Sequence, residues 1–189
     1  MDQIIARGGD TKEWAKAPEG QHQGVLVDVI DLKMHPNVYQ GVTKGDVHKC
    51  ALVFQIDETN PDTGRRFELS RDFTVSMNEK ANLRKFLGMW RGKSYTDAEA
   101  EEGAPLHKLE GVNALIQVEH KQSKANPERS YANIVSVTAL PKGMQKISPL
   151  DYARSEHWAA KVGHDSAPSV SNDFDDFPPL DDELQDLPF

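Results

Sequence analysis

From residue 24 to 33 (GVLVDVIDLK), Val25, Val27 and Val29 alternate with Leu26, Asp28 and Ile30, and a period of two in a β-branched run predicts a first strand. Residues 34–45 (MHPNVYQGVTKG) carry a Pro and two Gly and read as a long loop. Residues 47–57 (VHKCALVFQID) are apolar enough for a central second strand. Thr59-Asn60-Pro61-Asp62-Thr63-Gly64 supplies turn chemistry, and residues 65–75 form a third strand. This strand sets Phe67, Leu69, Arg71 and Phe73 against Arg66, Glu68, Ser70 and Asp72.

The period then changes. Ser76-Met77-Asn78-Glu79 reads as a capping box, and Leu83, Phe86, Leu87 and Trp90 follow at spacings of three and four, predicting an amphipathic helix over 78–91 that stops at Gly92. A short acidic helix is expected over 96–102. Residues 111–120 and 130–140 alternate again as strands four and five, joined by the basic loop 121–129. Five strands with one helix between the third and fourth predict a mainly β protein, a five-stranded OB-fold barrel. An open α+β sheet is the alternative. Leu150, Tyr152 and Trp158 suit a short helix on the barrel within 141–161.

Charge divides the chain. All 22 Lys and Arg lie at or before Lys161, whereas the last 28 residues hold eight acids (Asp165, Asp173, Asp175, Asp176, Asp181, Asp182, Glu183, Asp186). The body is therefore neutral overall and the tail carries the whole −8. Pro168, Pro178, Pro179 and Pro188 oppose regular structure there, so the tail is expected to be a disordered interaction segment. The expected organisation is an extension over 1–20, an OB-fold domain over 21–161 and an acidic tail over 162–189. With 189 residues, one core and no apolar run of bilayer length, neither a multidomain enzyme nor a transmembrane protein is expected. A single Cys, Cys50, and an opening without a secretory pattern suit a cytoplasmic protein.

Catalytic chemistry is not indicated. The seven His are scattered, no phosphate loop is present, and Cys50 sits among apolar neighbours as a core thiol. Asp57, Glu58 and Asp62 surround a turn, where backbone capping accounts for them. No metal or cofactor is expected. Binding single-stranded nucleic acid needs only cations along a groove and aromatic faces for the bases. The loop between strands one and two offers Lys33, Tyr39 and Lys44, strands two and three offer His48, Lys49, Arg66 and Arg71, and the loop between strands four and five offers Lys121, Lys124 and Arg129, closed by Tyr131. Phe54, Phe67, Phe73 and Trp90 read as core.

The element order, the basic loops and the ending together resemble the single-stranded DNA-binding proteins of bacteria and tailed phages. The ending carries most of the likeness: Asp181-Asp182-Glu183 precedes Asp186-Leu187-Pro188-Phe189, and Asp173-Phe174-Asp175-Asp176-Phe177-Pro178 looks like a partial second copy. The resemblance implies a phage-type protein that coats unwound DNA without sequence preference during replication, recombination or repair. It also implies that Asp181, Asp182, Glu183, Asp186, Leu187, Pro188 and Phe189 recruit partner enzymes, and that the protein self-associates. A protein-interaction adaptor that binds no DNA is the competing expectation.

Overall fold

A computed structural model describes residues 15–39, 41–123 and 130–154. Five antiparallel strands form one sheet: β1 (Gly20–Tyr39), β2 (Val42–Thr59), β3 (Arg66–Thr74), β4 (Asn113–Gln122) and β5 (Ser130–Ala139). Helix α1 (Asn82–Arg91), helix α2 (Asp97–Glu102) and a 3-10 turn at Leu106–Leu109 connect β3 to β4. The mainly β class and the placement of the helix match the sequence expectation. The sheet order is β3-β2-β1-β4-β5 and the sheet is not closed.

β3 and β5 are thus edge strands, and side chains span the seam between them. Arg71 of β3 donates from Nη1 to the Val135 carbonyl of β5 at 3.2 Å, and α1 packs on both strands. The helix fills the seam with rings. Phe86 lies 4.8 Å from Phe73 and 6.3 Å from Phe54, and Trp90 lies 5.3 Å from Phe54. Phe54, Phe67 and Phe73 are buried in this core, as their alternation along the strands predicts, and Trp90 is buried with them, as its spacing in the helix predicts. Trp90 also meets its need for a polar partner, donating from Nε1 to the Asn113 carbonyl at 3.1 Å.

Two local expectations are corrected. Residues 34–45 are not a loop, because β1 and β2 stay paired out to Tyr39 and Val42. The breakers are absorbed by register shifts, including one between Pro36 and Val38, with Gly41 and Gly45 at φ 78° and 94°. Beyond the β4 partners of Gly20–Val25, β1 has a neighbour on one side only, where a Pro is tolerated. The second correction concerns the helix start. Helix α1 begins at Asn82 behind Ala81 with no side-chain cap, while Ser76 Oγ accepts from the Asn78 amide and closes a turn ahead of it. The capping box belongs to α2, where Thr96 Oγ1 accepts from the Glu99 amide and Glu99 Oε2 from the Thr96 amide. Gly92 ends α1 at φ 72°, as expected.

The outer face of the sheet is not bare. Ile30, Ala51 and Val53 lie there with Tyr152 packed on them, and residues 144–154 cross this face as a strap. Polar side chains in the strands hold the strap by its backbone. Asn113 bonds both the amide and the carbonyl of Ile147, each at 2.9 Å. Gln55, 1% exposed, does the same for Leu150 at 2.9 and 2.8 Å. Gln23 adds a bond to the Gln145 carbonyl at 2.7 Å. Buried amides in a sheet face must be satisfied, and the strap satisfies them. Farther along, Tyr152 OH donates to Asp28 Oδ2 at 2.7 Å, and Arg154 Nε lies 3.2 Å from the same oxygen.

Candidate nucleic-acid interface

The register of β1 and β2 decides which of the candidate cations meet. Lys33 lies opposite Lys49, and Met34 opposite His48. Lys49 also pairs with Thr74, the last residue of β3. From this point outward the hairpin continues as a two-stranded arm. Lys33, His48 and Lys49 therefore gather at the root of the arm, and Lys44 lies near its tip. Met34 and Val42 expose apolar surface along it.

The arm root has a defined geometry. Asp31 Oδ1 accepts from the Lys33 amide at 2.8 Å and faces His48 Nε2 at 2.6 Å, while Oδ2 accepts from Lys33 Nζ at 2.7 Å. Carboxylate oxygens only accept, so His48 carries its proton on Nε2. The turn at Asp31 holds Lys33 at φ 68°, a rare angle for a residue with a side chain. The Lys33 ammonium, then His48, hold the Asp31 carboxyl well below the usual carboxylate range. Lys33 is 73% and His48 48% exposed, so both remain open to a ligand from solvent.

A second group lies at the other end of the sheet. β4 runs antiparallel to β1, with Gly20 opposite Val118, so the β4–β5 hairpin extends past the start of β1. Lys121 pairs there with Tyr131, a residue 45% exposed. Lys16 Nζ donates to Ser130 Oγ at 2.8 Å, and His120 bonds the Ala17 carbonyl through Nε2 at 2.8 Å. Residues 15–19, read from sequence as part of an extension, thus brace this hairpin, and Ala17 joins the core. At ~3.3 Å per strand residue, the 13 steps from Gly20 to Lys33 and the three from Val118 to Lys121 separate the two groups by at most about 53 Å.

Arg66 and Arg71 join neither group. Arg71, expected in a groove, is 3% exposed with its guanidinium 5.2 and 5.1 Å from the rings of Phe73 and Phe86. Burial lowers its pKa to about 10, which leaves it cationic at neutral pH. Arg66 donates from Nη1 to the Ser148 carbonyl of the strap at 2.8 Å, and Arg65 bonds the Asp151 carbonyl. The face of β2 and β3 that was expected to carry ligand is covered along this line by the chain itself. Tyr39 ends the β1 ladder against Val42. Its side chain lies outside the described residues, as do Lys124, Arg129 and the tail residues Asp181, Asp182, Glu183, Asp186, Leu187, Pro188 and Phe189.

Sequence reasoning missed Asp31, because its role appears only once the β1–β2 register sets His48 beside Lys33. It also missed Gln23, Gln55 and Asn113. A lone amide inside an apolar strand was the available signal for these three. Among the described residues, no group of three His, Cys, Asp or Glu side chains is arranged to hold a metal ion, and no helix is long and apolar enough to cross a membrane. Compared with known families and curated proteins, the chain matches no family model and no curated sequence.

Proposed function

We propose that this chain is a single-stranded DNA-binding protein of the bacterial and tailed-phage type, built on an OB-type barrel left open between β3 and β5. The observation that carries the reading is the root of the β1–β2 arm, where Lys33, Lys49 and His48 converge on a projecting ribbon. Phosphates bind along the arm at Lys33, Lys44, Lys49 and His48, and at the β4–β5 hairpin through Lys121, Lys124 and Arg129. Bases stack on Tyr39 and Tyr131, each stack contributing roughly 1 to 3 kcal/mol with little sequence preference. Arg71 serves the core and Arg66 the strap. The order of the strands and the position of α1 support the barrel reading, because an OB barrel opened at one seam would have this order.

The protein coats unwound DNA in the cytoplasm of a bacterial or phage-infected cell during replication and recombination. Its acidic tail, with Asp186-Leu187-Pro188-Phe189, offers apolar side chains beside acidic ones to partner enzymes that carry a basic-rimmed pocket. A fluorescence-anisotropy titration of labelled oligo(dT) and a matched duplex, at low and moderate salt, tests the reading. Preference for the single strand that weakens as salt rises is the expected result. No binding to oligo(dT) would overturn it and leave the adaptor as the better description.

A further inference from the structure

The turn at Asp31 needs only one carboxylate oxygen, the one that accepts from the Lys33 amide. The carboxylate does more, since Oδ2 takes the Lys33 ammonium at 2.7 Å and Oδ1 takes the His48 imidazole at 2.6 Å. Both donors are candidate phosphate ligands, they come from opposite strands of the arm, and an anion sits between them. We propose that Asp31 is a resident surrogate for phosphate: its carboxylate occupies the anion position between Lys33 and His48, and the backbone phosphate of a bound single strand takes over those donors. The inference rests on the proposed function and adds to it a residue that tunes affinity.

The physical case is one of charge and position. With Asp31 in place, the Lys33 charge is neutralised at contact distance, so an arriving phosphate must compete for it. The cluster lies at the surface, where the ion pair is weak enough to be exchanged. Neighbouring charge does not replace this contact. Asp72 of β3 pairs in register with Ala51 of β2, and Lys49 lies across from Lys33. Asp46, the acid farther out on the arm, faces Pro36 and makes no such clamp among the described residues.

The test uses the full chain. Asp31→Asn retains an oxygen for the Lys33 amide, and so keeps the turn, but removes the charge. It is expected to tighten oligo(dT) binding about three- to tenfold at low salt and to steepen the log–log salt dependence by about 0.7, the value of one further neutralised phosphate on a single strand. Asp46→Asn removes the same charge from the same arm and is expected to change affinity less than twofold. Equal effects of the two substitutions would reduce Asp31 to a distant charge, and weaker binding by Asp31→Asn would make it a scaffold residue. Either result overturns the proposal. As an independent readout, the His48 imidazole nitrogen resonances in the unsubstituted protein should shift as oligo(dT) is added, and unshifted resonances at saturation would overturn it as well. Absence of oligo(dT) binding by the unsubstituted protein is a separate result, which removes the proposed function and this inference with it.

Discussion

Asn113 grips the backbone of Ile147 from both sides, its Oδ1 accepting from the Ile147 amide and its Nδ2 donating to the Ile147 carbonyl, both at 2.9 Å. A strand residue thereby does for the strap what a neighbouring strand would do by its main chain. Gln55 repeats the arrangement on Leu150.

Asn113→Ala should therefore be costly although it removes few atoms. It strands the amide and carbonyl of Ile147 and takes the acceptor from Gln23 Nε2, which bonds Asn113 Oδ1 at 3.1 Å. A loss of about 2 to 4 kcal/mol is expected, read as a fall of several degrees in Tm by circular dichroism. A melt within a degree of the unsubstituted protein would show that the strap contributes little.

The alternation of strands β1 to β5 and the three- and four-residue spacing of α1 were legible because each element presents one face to a single core, and periodicity reports faces. The arm was not, since Pro36, Gly41 and Gly45 are breakers in any linear reading and only the bulges of a paired ribbon accommodate them. Nor was the extended form of the strap: Leu150 and Tyr152 were expected in a short helix, but residues 145–151 are held through their backbone, which leaves no periodic trace, and Trp158 lies outside the described residues. At the candidate interface, Lys33, His48 and Lys49 were found one by one, but the convergence of Lys33 and His48 on Asp31, with Lys49 across from Lys33, depends on the β1–β2 register. Arg71 was misread because a long cation on an apolar strand face looks the same in sequence whether it reaches solvent or a carbonyl across a seam.

Gly24 marks the point where β1 is paired on both sides, to Ile56 and to Ala114. A Cβ there would lie 2.3 Å from Ile116 Cδ1, inside the buried core. Gly24→Ala is expected to destabilise by about 1 to 3 kcal/mol. Adding Ile116→Val, which removes the clashing methyl, should restore part of that loss in denaturant titrations, whereas additive losses would place the cause elsewhere.

Arg71→Lys should separate stability from binding. A lysine cannot both span to the Val135 carbonyl and lay a planar cation against Phe73 and Phe86, so about 1 to 2 kcal/mol of stability should be lost. Oligo(dT) affinity and its salt dependence should stay unchanged. A shallower salt dependence would put Arg71 back among the DNA ligands.

Burial, then the charges of Asp72 and Asp31, push the Cys50 thiol up to about 11. The folded protein therefore holds the neutral thiol, and the stability linked to it is complete below the unfolded value of about 8.5 and is lost as pH rises through the folded value. Reaction with a thiolate-directed disulfide reagent at pH 8 should be slow in the native protein and fast in denaturant. Rapid labelling of the native protein at pH 8 would contradict this placement of Cys50.

The central claim, that the arm root holds the DNA backbone, is tested most directly by the salt dependence of oligo(dT) affinity for the unsubstituted protein and for Lys33→Gln/Lys49→Gln. Each cation without an acid partner should flatten the log–log slope by about 0.7 when it is removed, so the double substitution is expected to make it shallower by about 0.7, the Lys33 charge being already offset by Asp31, and to weaken binding at low salt. An unchanged slope with unchanged affinity would contradict the claim and move the interface away from the arm.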